Sequence, residues 1–167
     1  DDALQLDDAT ARERFTSGRG DRHDVRAGGI VIADAYNANP ESMRAALRTL
    51  AELGRGEGRR TWAVLGEMLE LGEDSIHEHD AIGRTVVRLN IAKLIVVGTG
   101  ARAMHTGAVM EGSWGDESTF VETPEDAYKV LQRDLRPGDL VLFKSSNGAG
   151  LRHLGDRVAH REPSPTA

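Results

Sequence analysis

Ile30-Val31-Ile32-Ala33-Asp34-Ala35-Tyr36-Asn37-Ala38-Asn39-Pro40 decides the architecture of this chain. Its first residues are β-branched and apolar, the composition of a buried strand. At Asp34 the run turns polar within one residue. Asn39 then reads as an N-cap and Pro40 as a first helical residue, where the missing N–H costs nothing. Met43, Ala46, Leu47 and Leu50 follow at helical spacing, which predicts a helix over Pro40–Leu53. Strand, tight polar loop and helix in that order form the basic unit of an open α/β sheet. Ligands bind such sheets at the carboxyl ends of the strands. The N–H groups at a helix start favour an anion there.

Working outward, the same alternation recurs. Upstream, Arg22–Arg26 and Ile30–Asp34 read as a hairpin across Ala27-Gly28-Gly29. Downstream, Gly54–Gly58 is expected as a loop, and Arg60–Leu65 as a strand. Ser75-Ile76-His77-Glu78 reads as a capping box opening a helix to about Asn90. Lys93–Val97 is a strand, Ala101–Met110 a helix and Glu111–Glu117 a loop. Ser118–Val121 is a short strand, and Thr123-Pro124-Glu125-Asp126 starts a helix to Leu135 with Pro at its first position. Leu140–Phe143 is the last strand and Gly148–His160 the last helix. The expected fold class is α/β: a doubly wound, mostly parallel, Rossmann-like sheet with one antiparallel strand and helices on both faces. The expected division is a linker or the end of a preceding domain over 1–18, one domain over 19–160, and a disordered tail over 161–167.

Composition narrows the function. The 167 residues suffice for one domain with a proper core. A net charge of −6 invites neither nucleic acid nor an anionic membrane. There is no cysteine, so disulfides and thiol chemistry are excluded. No apolar run reaches the ~20 residues of a membrane span. Absent cysteine and no signal-like start fit a cytoplasmic protein, expected to be monomeric. The start without Met suggests a piece of a longer protein. No Gly-x-x-x-x-Gly-Lys-[Ser/Thr] occurs anywhere, so this chain cannot cradle ATP phosphates as a P-loop does.

Two stretches compete for a ligand. Gly98-Thr99-Gly100-Ala101-Arg102-Ala103 fits a dinucleotide fingerprint, with Glu122 downstream. The true fingerprint belongs on the first strand of its unit, and this one follows a middle strand. Lys144-Ser145-Ser146-Asn147 ends the last strand before Gly148-Ala149-Gly150. A lysine and hydroxyls facing a helix start suit a carboxylate. His77-Glu78-His79 is no zinc helix, because residues two apart face different sides, and no metal site is expected. His79 reads as a packing or hydrogen-bonding residue.

Asp34-Ala35-Tyr36-Asn37-Ala38-Asn39-Pro40-Glu41-Ser42-Met43, followed by Val64-Leu65-Gly66-Glu67-Met68-Leu69-Glu70-Leu71-Gly72, resembles the C-terminal domain of the Mur ligase family from about Arg19 to Val158. The resemblance is strongest to the branch that adds D-alanyl-D-alanine to a UDP-N-acetylmuramoyl-tripeptide in peptidoglycan synthesis. It implies ATP and Mg²⁺, held mainly by a central domain, with a further N-terminal domain for UDP. It places Arg19, Asp34, Tyr36 and Asn37 on the ATP side. It places Glu67, Gly98, Thr99, Lys144, Ser145, Ser146 and Asn147 around the dipeptide. Ser145 and Asn147 depart from the family's Lys-Gly-Ser-Arg. No catalytic residue is expected in this chain, whose implied role is binding and closure. A nucleotide-binding module using the Gly98 loop, and a non-catalytic interaction domain of Mur-like fold, are the alternatives.

Overall fold

A computed structural model describes residues 21–24, 30–34, 38–112, 117–146, 151, 154, 157 and 158, the first two segments by their backbone. The expected linker, Arg19, the hairpin turn, Tyr36, Asn37, Asn147, most of the last helix and the tail lie outside the described residues.

The strands are β1 (Asp21–Asp24), β2 (Ile30–Asp34), β3 (Thr61–Leu65), β4 (Lys93–Val97), β5 (Ser118–Val121) and β6 (Leu140–Lys144). The helices are α1 (Pro40–Glu57), α2 (Ser75–Arg88), α3 (Arg102–Glu111) and α4 (Pro124–Asp134). One sheet holds the strands in the order β1-β2-β6-β3-β4-β5. β2, β6, β3, β4 and β5 pair in parallel, and β1 lies antiparallel to β2.

The central strands β3, β4 and β6 are largely apolar and buried because both faces are covered. Alternate residues divide them between two cores. Ala63, Leu65, Leu94, Val96, Leu140 and Leu142 pack with Met43, Leu47 and Leu50 of α1, Ile82 and Val86 of α2, and Met104 and Ala108 of α3. Trp62, Val64, Ile95, Val97, Val141 and Phe143 pack with Ala127 and Leu131 of α4 and with Leu151, Leu154 and Val158. Right-handed crossovers explain the division. The chain steps one way from β2 through β3 and β4 to β5, which puts α1, α2 and α3 on one face. It returns from β5 to β6 through α4, on the other.

Asn39 Oδ1 accepts from Ser42 N–H at 2.8 Å and Asn39 N–H donates to Ser42 Oγ at 3.1 Å, a reciprocal cap. Two expectations need correction. The Gly54–Gly58 segment is not a loop: α1 continues to Glu57 and ends at Gly58, whose φ of 63° is left-handed. Gly54 stays helical because the bare backbone lets Thr61 pack where a Cβ would sit. Ser75 and Glu78 form no capping box, because a 3₁₀ turn at Gly72–Asp74 already leads into α2. Glu78 instead pairs with Arg44 of α1 at 3.3 Å.

At the amino edge of the sheet, Asp139 is buried between β3 and β6. It accepts from Arg60 at 2.7 Å, the Trp62 indole N–H at 2.9 Å and Arg136 N–H at 2.9 Å. On the first face, α2 and α3 meet through glycines. A Cβ on Gly83 would collide with the Met104 carbonyl, and one on Gly107 with the Asp80 carbonyl.

Overpacking a well-filled contact costs about 1–3 kcal/mol. Gly83→Ala is therefore expected to lower unfolding free energy by about that much, read as a reduced urea midpoint at unchanged m-value. Acid acts in two steps. Burial, with the Arg102 charge nearby, holds the His105 pKa below its ordinary 6.5. The folded state then binds fewer protons than the unfolded one. This contribution is complete above about pH 6.5 and is lost as pH falls toward the folded value. Hydrogen bonds from Arg88 and Arg84 depress Glu111, and one from Arg157 depresses Glu125, so their contributions fade only below the ordinary 4.5. Urea titrations across pH are expected to show an early loss that His105→Gln removes, and a later one that it leaves.

Candidate functional site

The chain leaves β3 for α2 on the first face. It leaves β6 toward Leu151, Leu154 and Val158 on the second. Neighbouring strands whose connections part to opposite faces open a crevice at their carboxyl ends, where open α/β sheets bind ligands. In register, Asp34 of β2, Lys144 of β6 and Leu65 of β3 lie side by side at that edge. Adjacent strands are ~4.8 Å apart.

The loop after β3 is stitched in place residue by residue. Gly66 N–H donates to the Lys144 carbonyl at 3.0 Å, and Ser146 N–H donates to the Glu67 carbonyl at 2.9 Å. Met68 N–H donates to His79 Nε2 at 2.9 Å, and Leu69 N–H to Ser146 Oγ at 2.9 Å. Gly66 has to be glycine: a Cβ there would lie 2.8 Å from Ser145 Cβ, so any side chain would push the two loops apart. Met68 is 1% exposed and anchors the loop in the first core.

His79 is fully buried. Its Nδ1 lies 2.7 Å from the Ser75 carbonyl. A carbonyl can only accept, so Nδ1 carries the proton and Nε2 accepts from Met68. The ring is a neutral connector, in line with the packing and hydrogen-bonding role read from the sequence.

Glu67 is half-buried, and its carboxylate fills the space that a Gly100 side chain would take. Gly98 has a φ of 94°, and Thr99–Ala101 forms a 3₁₀ turn leading into α3. Gly98 N–H donates to the Val121 carbonyl at 2.9 Å, while Thr99 is exposed. This geometry disfavours the dinucleotide alternative. A pyrophosphate at the glycine turn would meet the Glu67 carboxylate, and like charges repel.

Of the residues singled out in the sequence, the fold brings Glu67, the Gly98-Thr99 turn, Lys144, Ser145 and Ser146 to the ends of three adjacent strands. Lys144 is 1% exposed. Ser145 is buried and donates to the Ser146 carbonyl at 3.1 Å. Both serine hydroxyls are thus engaged within the protein. Asp34 is placed by its backbone alone. Sequence reading missed Gly100 as the partner of Glu67. The only signal was the Gly-x-Gly pattern, which pointed to a different ligand. Among the described residues no group of three or more His, Cys, Asp or Glu could hold a metal ion. Among them also, no helix is long and apolar enough to cross a membrane.

A family model described as "Mur ligase, glutamate ligase domain" matches residues 18–147. The UDP-N-acetylmuramoyl-tripeptide–D-alanyl-D-alanine ligase of Mycobacterium leprae is 54% identical over 145 residues, 79% of this chain and 28% of that enzyme. The enzyme of the same name from Mycobacterium tuberculosis is 51% identical over 150 residues, 80% of this chain and 29% of that enzyme. The chain thus spans under a third of the length of these relatives. Among solved structures, MurF from Acinetobacter baumannii superposes with a TM-score of 0.71 at 27% identity, covering 85% of this chain and 30% of that one. A domain from a putative UDP-N-acetylmuramate:L-alanyl-γ-D-glutamyl-meso-diaminopimelate ligase of Haemophilus ducreyi shares the fold. Its TM-score is 0.56 at 14% identity, and the match covers 83% of this chain and 95% of that chain. The match of the family model to residues 18–147, most of the chain, shows that the chain belongs to the Mur ligase family.

Proposed function

We propose that this chain is the C-terminal domain, over 19–160, of an ATP-dependent ligase that joins D-alanyl-D-alanine to UDP-N-acetylmuramoyl-tripeptide in peptidoglycan synthesis. Residues 1–18 would link it to the central domain, and the setting would be the cytoplasm. One observation supports the reading. The Gly66–Leu69 loop, stitched to Lys144–Ser146, brings Glu67 and the buried Lys144, groups of opposite charge, to the carboxyl ends of adjacent strands. A dipeptide is a zwitterion, with an ammonium at one end and a carboxylate at the other, and this polarity matches it. Relatives 51–54% identical to this chain carry the name of that reaction.

In this reading ATP, with Mg²⁺, supplies the phosphoryl group that activates the tripeptide carboxylate as an acyl phosphate. The dipeptide ammonium first gives a proton to solvent, the free amine then attacks the acyl carbon, the C–O bond to phosphate breaks with phosphate leaving, and the nitrogen gives a second proton to solvent as the amide forms. The contribution of this chain is binding. Glu67 accepts hydrogen bonds from the ammonium beside Gly98 and Thr99. Lys144 attracts the carboxylate, with Asn147 following it. The two serines hold the loops. Arg19, Asp34, Tyr36 and Asn37 take the nucleotide side, which adjoins the dipeptide side where Asp34 neighbours Lys144 in register. Closure of the domain would exclude water from the acyl phosphate and hold the nucleophile in line. Leu69 and Ile76, 51% and 77% exposed beside this edge, are the apolar surface that closure onto the other domains would cover.

The chain alone is expected to show no ATP-dependent ligation, because it has no P-loop. Release of phosphate coupled to dipeptide addition by the pure chain would overturn the reading. In the full-length ligase, Lys144→Met is expected to raise the dipeptide KM about ten- to a hundredfold, with the ATP KM little changed, since a charged hydrogen bond is worth about 1.5–3 kcal/mol. Arg19→Ala and Asp34→Ala are expected to do the converse. A Lys144→Met enzyme that loses only ATP affinity would move β6 to the nucleotide side.

A further inference from the structure

The loop that carries Glu67 has four anchors, and two are strand-end backbone groups that any sequence would supply. The other two are side chains. His79 Nε2 holds Met68 and Ser146 Oγ holds Leu69. These residues lie far apart in sequence, on α2 and just past β6, and they fix successive peptide groups of one loop. Both side chains are buried, at 0% and 8% exposure, so their bonding atoms are held by the fold before any ligand arrives. His79 is itself fixed through Nδ1 to Ser75, so both ring nitrogens are engaged within the protein. The third element is a space. Gly100 has no side chain, and the Glu67 carboxylate occupies the resulting gap.

We propose that His79, Ser146 and Gly100 are positioning residues for the amine end of the incoming dipeptide, together setting the Glu67 carboxylate over the Gly98–Gly100 turn before the ligand arrives. The proposal rests on the reading of Glu67 as the ammonium acceptor. Its physical content is preorganisation. A carboxylate on a loose loop would pay ordering entropy on every binding event, and one already fixed does not. None of the three touches substrate. His79 is excluded from proton transfer in the reaction because both of its nitrogens are committed. Gly100 contributes by leaving room.

The test uses the full-length ligase, with dipeptide and ATP varied separately and amide hydrogen exchange measured on the same proteins. Ser146→Ala removes one anchor. Gly100→Ala leaves the anchors alone and displaces the end of a flexible side chain, which the fold accommodates. Each is expected to raise the dipeptide KM about tenfold, with the ATP KM and the kcat at saturating dipeptide preserved, the scale of one lost hydrogen bond. Ser146→Ala is expected to speed exchange at the Leu69 and Met68 amides, whereas Gly100→Ala leaves it unchanged. His79→Gln, which offers Met68 an acceptor oxygen, is expected to keep more dipeptide affinity than His79→Leu. Glu67→Gln separates the two layers of the argument. If it raises the dipeptide KM while Ser146→Ala and Gly100→Ala do not, positioning is wrong and the Glu67 reading stands. If it leaves the dipeptide KM unchanged, the Glu67 reading fails and the positioning proposal fails with it.

Discussion

Everything at the carboxyl edge depends on β6 entering the sheet between β2 and β3. These two strands are joined by α1, yet they do not touch; the gap between them is filled by the last strand. Insertion of β6 puts Lys144 between Asp34 and Leu65 in register and carries Ser145 and Ser146 against the loop after β3. Without it, the Gly66–Leu69 loop would lose three of its four anchors. The direction of the chain around β6 also creates the crevice, because the connections of β3 and β6 leave to opposite faces.

A central strand supplied last in sequence has to be held at both ends. At the amino edge Asp139 does this, clamping Arg60 and Trp62 of the β3 segment to the turn that starts β6. Arg60 stacks over Trp62 at 5.2 Å, so the ion pair is shielded by an aromatic face. At the carboxyl edge the stitched loops do the same. A strand buried on both faces has no free backbone along its length, so its ends are where specific chemistry can be placed. One end of β6 is used for stability and the other for the site.

The layering of helices feeds the same edge. The glycine contact between α2 and α3 brings the two helices close on one face. That fixes His79 of α2 on one side of the Glu67 loop and Gly100, at the entry of α3, on the other. A packing contact in the first core is thereby coupled to the position of a carboxylate at the sheet edge. Arg44 and Glu78, which join α1 to α2, extend this to the helix that follows Asp34.

The sequence by itself determined the elements and the family. Ile30–Pro40 reads as strand, loop and capped helix because burial, capping and the chemistry of proline act within a few residues, and the structure keeps the Asn39 cap and the helix. The Gly66–Gly72 motif and Lys144 were legible for the same local reason, as strand ends turning polar. What failed was also local in appearance. Ser75 and Glu78 have the spacing of a cap, but a preceding 3₁₀ turn and Arg44 claim them. Gly54 looks like a helix end until Thr61 packs against it. Tertiary structure alone decided the strand order, and hence that Lys144 neighbours Asp34, that Ser146 and His79 hold one loop, and that Gly100 makes room for Glu67. Those facts join residues 11 to 110 positions apart. No local pattern records which strand will fill the gap between β2 and β3, because that choice belongs to the packing of the whole sheet.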